Sequence, residues 1–226
     1  MNDTIILITG AAGGLGGALA ERLAHSGANL LLTDKDLKGL EQISDRLLAK
    51  GLPEPGITCL DLATAGPESY RELAEILAHE YGGLDIFIHS AAAFGGLQPL
   101  EHVEWAEWDA CFRVNLHSAW QITKSCLPML RHSRHGRVVL VGERSEDCGS
   151  AYRGAYGVSK AALNCLAGIM QEEFEGSRLE VFVPMPGPMR TELRARAYIS
   201  EDPASLPDPA DAASEIIRQL NESIAC

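Results

Sequence analysis

Six short runs rich in apolar residues recur along this chain, and helical segments separate them. They lie at 4–9, 29–33, 57–60, 84–89, 137–142 and 179–183. The first two are near-continuous in apolar side chains, which suits strands buried on both faces. Amphipathic spacing predicts a helix through Leu19, Leu23 and Ala24 that stops at Gly27. Further helices are expected at 37–50, 69–81, 104–130, 154–173 and 209–221. Residues 200–209 are rich in Pro and Asp and read as a loop. Asp208-Pro209 then supplies an N-cap and a first-turn proline for the last helix. Strands alternating with helices imply an α/β fold, a doubly wound parallel sheet covered on both faces. Without an internal repeat or linker, residues 1–226 read as a single domain.

Composition narrows the function classes. The chain has 226 residues, 46% hydrophobic and 22% charged. That is enough for one sizeable core and excludes a disordered or low-complexity chain. The net charge of −12 repels phosphate backbones and anionic lipid, so neither nucleic acid nor membrane is an expected partner. No apolar run reaches the roughly 18 residues of a spanning helix. Met1-Asn2-Asp3-Thr4 shows neither a basic n-region nor a small-residue cleavage site, so a cytoplasmic chain is expected. Six cysteines without a C-x-x-C pair read as reduced thiols rather than a zinc or disulfide framework. The histidines show no ligand spacing, and no metal is expected.

The first chemical signal is Thr9-Gly10-Ala11-Ala12-Gly13-Gly14-Leu15-Gly16, set between the first strand and the first helix. Glycines allow a tight turn and close backbone approach. Free N–H groups at the helix start and the helix dipole then favour an anion, and a dinucleotide pyrophosphate fits. Taken alone, the glycines also fit a plain tight turn. Asp34 ends the second strand about 20 residues further on, where a carboxylate can accept both ribose hydroxyls of an adenosine. It would repel a 2′-phosphate, and Gly13 brings no basic side chain into the turn, so NAD is favoured over NADP. Lys35 argues the other way. Asp34 can also serve as the N-cap of the next helix.

The second signal is Tyr156 with Lys160. A spacing of four puts both on one helix face. An ammonium beside a phenol favours the phenolate and lowers its pKa. Such a pair can exchange a proton with an alcohol or carbonyl while a hydride moves. A plain surface pair is the alternative.

These motifs, in this order, resemble the short-chain dehydrogenase/reductases over residues 4–193. Thr9-Gly10-x-x-x-Gly14-x-Gly16 is similar to that family's cofactor turn. Asp61-Leu62 resembles its adenine-contacting pair, and Asn115 in Val114-Asn115-Leu116 its helix asparagine. Tyr156-x-x-x-Lys160 resembles its catalytic pair, and Pro186-Gly187 with Thr191 its nicotinamide segment. The resemblance implies a Rossmann-type fold and an NAD(P)-dependent oxidoreductase acting on a small alcohol/carbonyl substrate. Tyr156 would be the acid/base, Lys160 its activator and ribose ligand, and Asn115 the anchor of a relay water. The dinucleotide would lie on Gly10, Gly13, Gly14, Leu15, Gly16, Asp34, Asp61, Leu62, Ser90, Ala91, Ala92, Pro186, Gly187, Met189 and Thr191, with Tyr156 and Lys160.

The chain also departs from the family. The position of the family's catalytic serine, thirteen residues before the tyrosine, holds Glu143. An ionised glutamate cannot donate to a carbonyl oxygen, and it opposes both an oxyanion and a phenolate. Three readings stand. Glu143 is protonated and donates; Ser145 substitutes, on the same face of a continuing strand but roughly 6–7 Å further along unless a bulge intervenes; or turnover is weak or lost. The last reading describes a dinucleotide-binding sensor or assembly partner. Ser90-Ala91-Ala92 replaces the family's Asn-Ala-Gly. The C-terminus shows no seventh β-run, so six strands are expected, or a seventh too short to recognise. A homodimer through helices 104–130 and 154–173 is the expected assembly. Trp105, Trp108 and Trp120 read as core or interface anchors. Segments 94–100 and 194–207 flank the mouth of the site. Arg190, Arg194 and Arg196 beside it favour either an anionic substrate or simple solvation.

Overall fold

The chain alternates strand and helix from its first described residues. The structure, a computed structural model, describes residues 3–224; Met1, Asn2 and Cys226 of the sequence reading lie outside them. The strands are β1 (Ile5–Thr9), β2 (Asn29–Asp34), β3 (Gly56–Cys59), β4 (Ile86–His89), β5 (Arg137–Leu140) and β6 (Glu180–Phe182). The principal helices are α1 (Gly14–His25), α2 (Leu37–Ala49), α3 (Pro67–Ile76), α4 (Trp105–Phe112) and α5 (Ser118–His132). They continue with α6 (Ser145–Cys148), α7 (Gly154–Glu173), α8 (Glu192–Ala197) and α9 (Pro209–Ile224).

All strand pairs are parallel, in the order β3-β2-β1-β4-β5-β6. Strand side chains alternate between faces. Ile6, Ile8, Leu30, Leu32, Ile86 and Ile88 join one core, under Leu19, Leu23, Leu40, Ile43, Leu47, Ile216 and Leu220 of α1, α2 and α9. Leu7, Leu31, Phe87, Val138 and Leu140 join the other, under Leu73, Ile122, Leu130, Leu163 and Met170 of α3, α5 and α7. The apolar continuity of these strands therefore has a cause: both faces are covered. Each fully buried Leu or Ile contributes about 1.5–3 kcal/mol.

The chain leaves β1 toward β2 and β3, then returns to place β4 on the other side of β1. That reversal opens a crevice above the carboxyl ends of β1 and β4, where open α/β sheets bind ligands.

Several expectations need correction. The helix expected over 104–130 is α4 and α5 joined by a π turn, Arg113–His117, which carries the buried Asn115. A second π turn, Leu77–Tyr81, ends the helix expected over 69–81. The mouth segment contains α8 and a short 3₁₀ turn, Pro203–Ser205, rather than loop alone. The helix after Asp34 is capped by Asp36, whose side chain accepts from Gly39 N–H at 3.0 Å. Among the described residues no seventh strand forms. The amphipathic α9 instead buries Ala213, Ile216 and Leu220 against the α1 side of the sheet. No described helix is long and apolar enough to cross a membrane. Cys59, Cys111, Cys126, Cys148 and Cys165 are free thiols, and among the described residues no His/Cys/Asp/Glu group converges as a metal site.

Candidate active site

β1 ends at Thr9, and Gly10 turns the chain with φ +67°. Only glycine fits there, because a Cβ would lie 2.6 Å from the Ala91 backbone. At Gly16 a Cβ would come within 2.2 Å of the Gly10 carbonyl oxygen. These two glycines let β1, the start of α1 and the strand-end residues Ser90-Ala91 nest together. Gly13 caps α1 with no side-chain oxygen. The first-turn N–H groups thus stay available to an anion. Asp34 braces this turn: Oδ2 accepts from Ala12 N–H and Oδ1 from Asp36 N–H, each at 3.1 Å.

A cavity of about 620 Å³ opens above these strand ends. Every residue expected to hold the dinucleotide lines it, from Gly10 and Asp34 through Asp61, Leu62 and Ser90 to Gly187, Met189 and Thr191. The cradle therefore fits a nicotinamide dinucleotide in shape and in donors. Thr191 closes over it, and a Cβ on Gly14 would meet its Cγ2 at 2.9 Å.

The catalytic candidates separate. Tyr156, Lys160 and Glu143 line the cavity. Asn115 sits behind it, wholly buried. Its Oδ1 accepts from Ala93 N–H at 2.7 Å, and its Nδ2 donates to Ala93 O at 3.0 Å and to Ser159 Oγ at 2.9 Å. Ser145 is exposed and opens α6. The strand expected to carry it on the same face as Glu143 ends at Leu140. It does not line the cavity.

The Tyr156 hydroxyl donates to Glu143 Oε2 at 2.8 Å. Arg153 Nη1 lies 3.4 Å from that same oxygen, and Arg153 Nη2 donates to the Tyr198 hydroxyl at 3.2 Å. The Glu143 main-chain oxygen accepts from Asn164 Nδ2 at 2.6 Å. Lys160 Nζ donates to Val141 O at 2.7 Å. The Phe94 ring packs edge-on against Tyr156, 5.1 Å between centroids.

This geometry reverses one expectation. Burial, reinforced by the Glu143 carboxylate, pushes the Tyr156 phenol well above its usual range, with Arg153 rather than Lys160 opposing the shift. Burial lowers Lys160 to about 8, and Glu143 works against that fall. Tyr156 is therefore held as a protonated phenol.

Arg153, Asp147, Asn164 and Tyr198 were not singled out by the sequence. Arg153 stands three residues before Tyr156, the one spacing that could have marked it. The three arginines at the mouth are each paired: Arg190 with Asp208, Arg194 with both oxygens of Glu201, and Arg196 with Glu192. The anionic-substrate reading loses its unpaired cations.

Comparison with known proteins agrees with the geometry. The family model described as short chain dehydrogenase matches residues 4–202. The uncharacterized oxidoreductase YciK of Escherichia coli (strain K12) is 33% identical over 211 residues, covering 93% of this chain and 83% of its own. The solved structure of the E. coli oxidoreductase yciK superimposes with a TM-score of 0.93 at 31% identity, covering 99% of this chain and 92% of the other. A Shigella flexneri chain solved in complex with NADP has a TM-score of 0.86 at 31% identity, covering 93% and 88% of the two chains. With the glycine cradle, the Tyr156/Lys160 pair and these likenesses together, the chain belongs to the short-chain dehydrogenase/reductase family.

Proposed function

We propose that this protein is a nicotinamide-dinucleotide-dependent oxidoreductase that interconverts a small alcohol and carbonyl. The observation that carries the reading is one cavity lined by the glycine turn, Asp34, Tyr156 and Lys160. The bound dinucleotide supplies the hydride. Tyr156, held protonated, supplies a proton to the substrate oxygen, which suits the reductive direction. Lys160, ammonium at neutral pH, lines the same cavity and donates to Val141 O. Asn115 fixes the π turn against Ala93 and Ser159 and so holds the floor of the site.

Asp34 favours NAD, because it lines the cavity and its negative charge would repel a 2′-phosphate. The NADP bound to the Shigella relative favours the phosphate form. Titration of protein fluorescence with NADH and with NADPH, followed by absorbance assays on a panel of ketones, tests the reading. Binding with turnover supports it. The NAD preference fails if NADPH binds about tenfold tighter, a difference of about 1.4 kcal/mol.

A second reading, dinucleotide binding with little turnover, is favoured by the Tyr156–Glu143 hydrogen bond, which occupies the proton donor. Binding of the dinucleotide without turnover of any ketone supports it. A homodimer through α4, α5 and α7 is proposed from the exposed Trp105, Trp120, Val158 and Ile169 on those helices, and sedimentation tests it. The free thiols fit a cytoplasmic setting.

A further inference from the structure

A carbonyl being reduced gathers negative charge on oxygen, and the family's serine hydroxyl would donate to it. In this protein that position presents a carboxylate. Glu143 Oε2 is occupied by the Tyr156 hydroxyl and faced by Arg153. Among the described residues, Oε1 has no hydrogen-bond partner. The site therefore offers an open acceptor where the usual reaction needs a donor.

Asp147 pairs with Arg144 at 2.8 Å and lies 3.9 Å from Arg153, which stands 6.0 Å over the Tyr156 ring. Arg194 at the mouth is bidentate to Glu201 and stacked on Tyr198. Phe94 and Tyr156 supply aromatic walls. An unpartnered carboxylate oxygen beside these rings suits a substrate with a polar hydrogen to give.

We infer that this site takes cyclic imines in their protonated form and reduces them to amines, in preference to ketones of the same shape. The inference rests on the hydride-transfer reading above. The iminium N–H donates to Glu143 Oε1. The substrate carbon gains a hydride, and the C=N π pair becomes the nitrogen lone pair. The iminium becomes a neutral amine, and the reduced dinucleotide is oxidised. Positive charge passes from the substrate nitrogen to the dinucleotide, so no oxyanion forms beside Glu143. Tyr156 keeps its proton and its bond to Oε2, and the observed arrangement works without rearranging. Carbonyl reduction would require Tyr156 to leave Glu143 and an oxyanion to form against a carboxylate.

The test compares dihydroisoquinoline with tetralone as substrates. In parallel, calorimetry follows protonated tetrahydroisoquinoline and its neutral isostere isochroman binding to wild type and Glu143→Gln. The wild type should reduce the imine with kcat/KM at least about tenfold above the ketone. Glu143→Gln should weaken binding of the protonated amine at least about tenfold and leave isochroman unchanged, as expected for loss of a charge-assisted bond. Glu143→Ser, which removes the carboxylate with a smaller side chain, should move the substrate preference toward the ketone. Preference for tetralone, turnover of neither substrate, or amine binding equal in wild type and Glu143→Gln overturns the inference. If the dinucleotide still binds in the fluorescence titration, the oxidoreductase reading survives that failure. If neither NADH nor NADPH binds, both fall.

Discussion

The glycine cradle at the start of α1 and the side-chain corner around Glu143 solve different problems. The cradle is made of backbone: Gly10 and Gly16 are there because any Cβ would strike the Ala91 backbone or the Gly10 carbonyl. The corner is made of side chains: burial and the neighbouring Glu143 carboxylate raise the Tyr156 phenol, and burial lowers Lys160. The cradle rests on compulsory backbone contacts, whereas the corner rests on exchangeable side-chain hydrogen bonds. A backbone requirement tolerates almost no substitution, while a hydrogen-bonding position can change partner and with it the chemistry.

Three experiments sharpen that contrast. The largest effect is expected at the corner. Tyr156→Phe keeps the ring contact with Phe94 and removes the proposed proton donor. Carbonyl turnover should fall roughly 10²–10⁴-fold with dinucleotide binding nearly intact, read by steady-state kinetics and titration. Equal loss of binding would mean that the corner also builds the cradle.

Gly16→Ala attacks the cradle instead. Its new methyl has no space beside the Gly10 oxygen, so unfolding should become easier by about 2–3 kcal/mol. Denaturant titration should show this together with loss of dinucleotide binding. A stable variant that still binds would show that the cradle relaxes more freely than a nested turn can.

The smallest effect falls on His89, which joins the two regions. Its ring bonds Thr9 Oγ1 at 2.8 Å on the cradle side and faces Val114 O at 3.1 Å on the π turn that carries Asn115. Burial, with Lys160 adding to it, lowers His89 from 6.5 to about 3. The folded state then binds fewer protons than the unfolded one between those values. His89 therefore costs no stability above about pH 6.5, and stability falls as pH drops below it, by roughly 2 kcal/mol at about pH 5. His89→Asn should flatten that acid limb in pH-dependent denaturation, and an unchanged limb would place the acid sensitivity elsewhere.

Much of the architecture was legible in the chain because its causes are local or periodic. Helix 154–173 appears with those bounds, and all six strands lie within or next to the expected runs. The two π turns were not legible, since a one-residue slip of the helical hydrogen bonds leaves the apolar spacing nearly unchanged. The residues that line the cavity were legible as a set and illegible as a network. Ser145 and Glu143 both stood as replacements for the missing serine. The choice depended on where β5 ends and α6 begins, and residue spacing does not report that.

The sequence by itself determined the parallel doubly wound sheet, the glycine turn and the Tyr156–Lys160 pair, because continuous apolar strands, compulsory glycines and helical spacing act within a few residues. Only the tertiary structure decided that Glu143 accepts from Tyr156, that Arg153 faces them both, and that Lys160 turns to Val141. Partners thirteen or nineteen residues apart meet only after the sheet and α7 have packed. Burial then holds Tyr156 protonated and lowers Lys160.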